Sequence, residues 1–357
     1  MRPKFNPEII SLLELIRGEL SQGQDLYLVG GAVRDALLNR KINDLDFAME
    51  GDPTSLAKKL AKRLNVGFFV LDDERRTARV LYRRPGGDLS PLDFVQFTGG
   101  GLAVDLLNRD FTINAMAVAL RDLEGIIDPL RGREDLAAGL LRPCLDHALL
   151  DDPVRVLRGI RLVLQFDLEF VEVLKTQMLG AARRLPMTSY ERQRDEFFKI
   201  LEGPDPAEGM RHCRAFGVFT TLIPPLTEQE EIPVSPPHTL PLFDHTITTV
   251  EIFGNLLDQI QSGHSKKQDL PWWMSYAVKE LSPFSREAAA YFSEEITPGR
   301  SKRGLALLGT LLHDIGKPLT MKMGEDDRLH YYGHARVGAD LVWDAARRLQ
   351  LSNACRL

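Results

Sequence analysis

The sequence predicts an α+β head, followed by an all-helical body and a further helical domain. Three observations carry this. Up to about residue 130, short apolar runs bounded by Gly and Asp alternate with amphipathic stretches, so strands and helices share one domain. From Glu134 to about Leu222 the pattern is helix-like throughout, with breaks at Pro153, Leu185-Pro186 and Gly203-Pro204. Beyond a proline-rich stretch at 223–241 the helical pattern resumes. The expected organisation is a head over 1–130, a helical body over 131–222, a linker over 223–241 and a last helical domain over 242–357.

Taken in order, Pro7–Leu20 reads as an amphipathic helix. Asp25–Val29 reads as a strand, Gly30-Gly31 as a tight turn and Ala32–Leu38 as a helix start. Asn43–Asp52 holds Asp44 and Asp46 inside a short apolar strand. Thr54–Leu64 is helical, with Leu56, Leu60 and Leu64 on one face and lysines opposite. Gly67–Leu71, Ala78–Tyr82 and Leu92–Phe97 read as strands, and Asp110–Ala119 as a helix packed on the sheet.

The composition excludes several classes. Hydrophobic content of 44% with 27% charged residues is that of a globular chain. No apolar stretch approaches the roughly 18 residues that span a membrane. The N-terminal segment has acidic residues within its apolar part, unlike a signal peptide. Cys144, Cys213 and Cys355 are widely spaced and odd in number, which predicts reduced thiols in a cytoplasm. The net charge of −5 leaves no broad basic surface, so any RNA must be held by local patches.

The chemistry centres on the first fifty residues. Alternate residues of a strand face the same side, so Asp44 and Asp46 reach one face of the sheet. Two carboxylates that close repel unless a cation lies between them, and hard oxygen ligands suit Mg²⁺ bound with a substrate's phosphates. Gly30 and Gly31 let backbone approach a triphosphate, and N–H groups at the following helix start attract anions. Asp93 is a candidate third carboxylate on a neighbouring strand. Arg34 either contacts phosphate or, with Asp35, locks the turn to the sheet. Arg75, Arg76, Arg79, Arg83 and Arg84 read as a solvated, charge-rich hairpin. Asp152 and Arg155 stand three apart on a helix, as an ordinary salt bridge or as an acceptor and donor facing a base, and Arg158 continues their face. Pro153 suits a first helical turn, so Asp151 or Asp152 is a candidate cap. His313-Asp314 ends an apolar helix, with His245 and His334 as candidate partners in a second divalent-metal site.

These segments, in this order, resemble a known family. GGAVRD followed by DLDF is similar to the polymerase-beta type of nucleotidyltransferase, and specifically to the class II tRNA CCA-adding enzymes and bacterial poly(A) polymerases. RDFTINAMA, IIDPLRGREDLAAGLLR, DDPVRVLRGIR and SYERQRDEFFKIL match the family's next motifs. SPPHTLPLFDHTITTV and LLHDIGKP match a subgroup with an appended HD-type domain. The resemblance implies two Mg²⁺ ions held by Asp44 and Asp46, with Asp93 at the family's third acidic position and Arg109 and Asp110 on the nucleotide's phosphate and sugar. It implies that Asp152 and Arg155 select CTP or ATP without a template, with Arg158 reaching phosphate or RNA. The tRNA 3′-hydroxyl would attack the α-phosphate. Poly(A), A-only and CC-only activities share these motifs. Other classes of reading are an HD-type phosphohydrolase with an inert head and a non-catalytic RNA-binding protein. Asn108 stands where the family has a first arginine, and Thr98 where it has another. The HD superfamily needs a further downstream aspartate, so an HD-type domain that is partial is expected. No membrane and no protein partner are predicted.

Overall fold

A seven-stranded sheet organises the first part of the chain. The computed structural model describes residues 2–356 except 74–75, 85–86, 88, 98–99, 235, 237–238, 263–271 and 326–327. Arg75 and Thr98 therefore lie outside the described residues. The chain divides into two units, Met1–Ala148 with Glu169–Leu174, and Leu149–Leu168 with Lys175–Leu357.

The first unit opens with α1 (Pro7–Arg17). Its start is set by Asn6, whose side chain accepts from Ile9 N at 2.8 Å, and by Pro7 at the first helical position. Strand β1 (Leu26–Val29) leads through Gly30 into α2 (Gly31–Leu37), then β2 (Leu45–Met49) and α3 (Pro53–Leu64). Asp52 caps α3 through Thr54 N and Ser55 N, and Asn65 ends it in the left-handed region at φ 53°. Strands β3 (Phe68–Asp72), β4 (Thr77–Arg83) and β5 (Leu89–Gln96) follow, then α4 (Leu102–Leu107), β6 (Ala117–Ala119), β7 (Asp122–Ile127) and α5 (Gly132–Ala138). The sheet order is β3-β4-β5-β2-β1-β6-β7. Only β2 and β5 pair in parallel; every other neighbouring pair is antiparallel.

Strand alternation decides which residues are buried. Leu45, Phe47, Leu92, Phe94, Ala78 and Val80 are fully buried. Phe47 and Phe94 stack at 4.9 Å across the β2–β5 pair. Helix α3 packs on β3, β4 and β5 with Leu56, Ala57, Leu60 and Ala61 turned inward. Val29, Ala48, Leu106, Ala115, Ala117 and Cys144 form a second cluster.

One element departs from expectation. Asp110–Ala119 is not a helix but a 3₁₀ turn (Thr112–Asn114) followed by β6, which lies between β1 and β7. Residues 110–120 are all buried. A strand covered on both faces loses its period-two signal and reads as a plain apolar run. Helix α5 packs on that 3₁₀ turn, and Gly132 N donates to Asp128 Oδ1 at 2.7 Å. A Cβ at Gly132 would overlap the Thr112 carbonyl, which is backbone and cannot swing away. Gly132→Ala is therefore expected to destabilise the first unit by about 1–3 kcal/mol. An unchanged urea midpoint would show that α5 shifts at no cost.

A short parallel bridge joins β8 (Leu140–Leu141) to β9 (Glu169–Phe170), so the segment expected to be helical throughout contains two small strands. The rest of the chain is largely helical: α6 (Ala148–Asp151) and α8 (Glu172–Ala182) begin in the first unit and end in the second, which also holds α7 (Arg155–Phe166), α9 (Tyr190–Leu201), α10 (Pro206–Ala215) and α11 (Phe219–Leu222). Helices α7, α9 and α10 pack on one another, burying Val156, Leu157, Ile160, Phe197, Phe198 and Ile200. The first part of the proline-rich stretch, 223–232, is packed and not an open linker. Residues Pro224–Glu231 form a 3₁₀ helix, Ile223 and Leu226 are buried, and Gln229 accepts from Thr246 Oγ1 at 3.1 Å. Then come α12 (Leu242–Ser262), α13 (Trp272–Leu281), α14 (Ser285–Ser293), α15 (Lys302–Leu312), α16 (Lys317–Thr320) and α17 (His334–Arg348), with α12 packed on α15. Cys144, Cys213 and Cys355 are free thiols. No helix among the described residues is long and apolar enough to cross a membrane.

Candidate active site

The register of the sheet assembles the first site. Asp46 on β2 lies beside Val29 of β1 on one side and Asp93 of β5 on the other. Asp93 in turn faces Arg79 of β4. Residues 29, 46, 93 and 79 thus form one row across four strands. Asp44 stands two residues before Asp46, at the entrance to β2, and is exposed.

Arg79 holds Asp93 with two hydrogen bonds, both 2.7 Å, from Nε and Nη2. Its pKa is raised first by that bond, against burial, and then by the charges of Asp93, Asp44 and Asp46. All three carboxylates therefore act on one guanidinium. The concentration of negative charge, with oxygen donors on one face, fits a divalent cation of the hard kind. Arg79 belongs to the group read from sequence as a solvated hairpin, and here the structure differs. Arg84 differs as well: it binds the carbonyls of Ile42 and Asn43 at 2.7 and 3.0 Å and Ser90 Oγ at 3.0 Å. It thereby pins the segment that leads into Asp44.

Gly30 ends β1 at φ 74°, ψ −133°, a conformation essentially closed to other residues. A Cβ there would lie 2.8 Å from Arg109 Nη1 and 3.9 Å from Asp46 Oδ2. The turn, Arg109 and Asp46 are thus immediate neighbours. Gly31 begins α2, and a Cβ on it would approach Arg34 Nη2 to 3.3 Å. Arg109 is paired with Asp105, Nη2 to Oδ2 at 3.1 Å.

Arg34 is only 7% exposed. It binds Asp35 Oδ1 through Nε at 2.9 Å and donates through Nη1 to Asn114 Oδ1. Asn114 Nδ2 donates to Asp110 Oδ1 at 3.1 Å, and Phe111 N donates to the same oxygen at 2.7 Å. This Asp35–Arg34–Asn114–Asp110 chain ties α2 to the 3₁₀ turn. Asn114 was not singled out from sequence; its partner Arg34 lies 80 positions away.

The second unit holds the remaining candidates. Helix α7 begins at Arg155, and the Asp152 backbone carbonyl, not its carboxylate, accepts the Arg155 N–H at 3.0 Å. Asp152 and Arg155 are only loosely paired, with Nε 3.9 Å from Oδ2. The close partner is Arg192 of α9, Nη2 to Oδ2 at 2.6 Å. Asp152 Oδ1 is buried and has no hydrogen-bond partner among the described residues. Arg158 is exposed on the same helix. Burial pushes the pKa of nearby Glu196 up, but Arg161, Lys199 and Arg158 outweigh it and hold the carboxylate below its usual range.

A separate cluster gathers around Asp314, which is 4% exposed. Nε2 of His313, His245 and His334 lies 3.1, 3.6 and 3.9 Å from its carboxylate. The Nδ1 atoms of His313 and His334 face the carbonyls of Thr310 and Tyr331 at 2.7 and 2.8 Å. Donation from Nδ1–H to those carbonyls turns Nε2 inward, the arrangement typical of metal-binding imidazoles. His245, His313 and Asp314 present ligand atoms within 4.8 Å of one another, a set suited to a divalent metal. Buried Lys317, four residues beyond His313, binds Asp314 Oδ2 at 2.7 Å. Burial opposes ionisation of Asp314, yet His313 and Lys317 hold its pKa well below the carboxylate range. The bond to Asp314 raises that of His313. A small pocket lined by Leu240, Leu242, His245, Lys317 and Tyr331, among others, lies beside the cluster.

A mixed sheet with this strand order, carrying a carboxylate row next to a glycine turn, defines a nucleotidyltransferase head of the polymerase-beta type. The chain matches the poly(A) polymerase head domain over residues 26–142, the "probable RNA and SrmB-binding site of polymerase A" over 168–230 and the HD domain over 242–357. A poly(A) polymerase-type head, an RNA-binding segment and an HD domain thus follow one another in this chain, and the curated relatives that it matches are tRNA nucleotidyltransferases. It is 33% identical over 92% of its length to an A-adding tRNA nucleotidyltransferase of Deinococcus radiodurans. It is 31% identical over 83% of its length to a CC-adding tRNA nucleotidyltransferase of Geobacter sulfurreducens. The chain spans 65% and 61% of the length of these two relatives, less than two thirds. In fold it is similar to the Thermotoga maritima CCA-adding enzyme complexed with tRNA, with a TM-score of 0.58 and 22% identity, covering 97% of this chain and 95% of that one.

Proposed function

We propose that the protein is a template-independent tRNA 3′-end nucleotidyltransferase that adds C, A or both from CTP and ATP. The observation that carries this is the row formed by Asp46, Asp93 and Arg79, with Asp44 beside it and Gly30 at its end. Asp44, Asp46 and Asp93 would hold Mg²⁺, two ions on this reading. Bound there, the metal would neutralise the α-phosphate and the leaving pyrophosphate and favour ionisation of the RNA 3′-hydroxyl. The protein's own part is positioning and charge. Gly30 allows backbone to approach the triphosphate, and Arg109 beside it supplies a cation for a phosphate oxygen. Arg79 neutralises Asp93 until the carboxylate is needed. In the second unit, the buried Asp152 Oδ1 is an acceptor matched to the exocyclic amine of C or A. Arg155 supplies the donor, and Arg158 contacts RNA or phosphate. An enzyme acting on tRNA would work in the cytoplasm.

The test is incorporation of labelled CTP and ATP into tRNA ending before the first C, tRNA ending after CC, and oligo(A). Growth of oligo(A) alone would replace this reading with a poly(A) polymerase. Addition of only A or only CC would identify a specialist. No incorporation into any of the three would refute the proposal.

The His/Asp cluster favours a second, separate capacity: metal-dependent phosphoester hydrolysis in the HD domain, assayed with 2′,3′-cyclic nucleotides. The two chemistries use different residues. His313→Ala is expected to weaken divalent-metal binding, read by calorimetry, while nucleotide addition continues at the wild-type rate. Loss of addition in a folded His313→Ala protein would place the cluster inside the transfer cycle.

A further inference from the structure

We infer that Arg192 is a positioning residue for nucleotide choice, holding Asp152 so that a single carboxylate oxygen is presented to the incoming base. The inference rests on the base-reading role proposed above for Asp152.

A free carboxylate has two equivalent oxygens and rotates easily. As a selective acceptor it needs one oxygen occupied and the other fixed. Asp152 meets both conditions. Arg192 Nη2 takes Oδ2 at 2.6 Å, a short charge-assisted bond. Oδ1 is left buried without a partner among the described residues. A buried acceptor left unpaired is costly, and the cost is relieved when a donor arrives. The exocyclic amines of cytosine and adenine are such donors. Uracil and guanine carry a carbonyl oxygen at that position, which would face Oδ1 lone pair to lone pair. The one preformed oxygen therefore sorts the four bases by the sign of one group.

The geometry also says what happens without Arg192. Arg155 Nε stands 3.9 Å from the same Oδ2, beyond hydrogen-bond reach. With Arg192 gone, Oδ2 has no close cation, and the carboxylate is drawn onto Arg155. The acceptor and donor meant for the base would then spend themselves on each other. Arg192 lies on α9, 40 positions from Asp152. Its side chain is half exposed, 55%, so its loss removes little packing. Its backbone N accepts no new role in a variant, since Ser189 caps it through Oγ at 3.4 Å in any case.

The experiment measures kcat/KM for CTP, ATP, UTP and GTP on tRNA acceptors in wild type, Arg192→Ala, Arg192→Lys, Asp152→Ala and the double variant Asp152→Ala/Arg192→Ala. Arg192→Ala is expected to lower the ratio of correct to incorrect nucleotide about tenfold, within the range set by one base-edge contact. Arg192→Lys should recover part of the ratio, because it restores the cation but not the planar fork. In the double variant the Arg192 change should add nothing to the loss caused by Asp152→Ala, since it acts only through that carboxylate. If Asp152→Ala loses selectivity and Arg192→Ala keeps it, the positioning role is wrong while base reading stands. An equal drop for all four nucleotides in Arg192→Ala would make the residue structural and overturn the inference. If Asp152→Ala itself retains selectivity, the base-reading assignment falls and the inference with it.

Discussion

Alanine at Asp44 or Asp46 is expected to abolish nucleotide incorporation and leave the first unit folded. The two carboxylates stand at different places in the site. Asp46 sits within β2, beside Asp93 and against the Gly30 turn, while Asp44 is exposed at the strand's entrance. Each would anchor a cation whose charge the transfer step needs, and neither belongs to the apolar core built from Leu45 and Phe47. Losing one preorganised group that answers developing charge costs about 10²–10³ in rate, and losing a metal anchor should cost at least that. Removing one of several clustered like charges relieves repulsion, so the melting temperature should hold or rise slightly. Single-turnover incorporation alongside thermal melting checks both halves. Wild-type turnover in either variant would sink the assignment of the carboxylate row.

The second large effect is expected at Asp152. Asp152→Ala or Arg155→Ala should blur the choice among CTP, ATP, UTP and GTP more than it slows a correct addition. A base-edge contact of this kind discriminates by about 1–3 kcal/mol, roughly 5- to 150-fold. Alanine at Asp152 removes a buried polar atom that has no hydrogen-bond partner among the described residues. Competition between labelled nucleotides gives the ratio directly. Equal loss of rate for all four would mean that the pair serves structure alone.

Much of the first unit was legible because its signals are local. The Asn6 and Asp52 caps sit next to prolines, and the strands keep their period of two wherever one face meets solvent. The spacing of Asp44 and Asp46 is itself a statement about a shared face. Asp110–Ala119 reads as a helix from sequence because burial on every side erases that period. No local pattern distinguishes such a strand from a short buried helix.

The sequence by itself determined the order of the domains, the Gly-Gly turn, the paired carboxylates and the histidine motif, since each is written in neighbouring residues. Tertiary structure alone decided the partners. Arg79 leaves its charge-rich hairpin to grip Asp93, Asn114 reaches Arg34, Arg192 takes the oxygen of Asp152 that stands 3.9 Å from Arg155, and Lys317 settles on Asp314 among three imidazoles. An arginine or lysine in a sequence carries the same charge wherever it points. Which carboxylate it neutralises depends on strand register and helix packing, and these join residues that the chain itself keeps far apart.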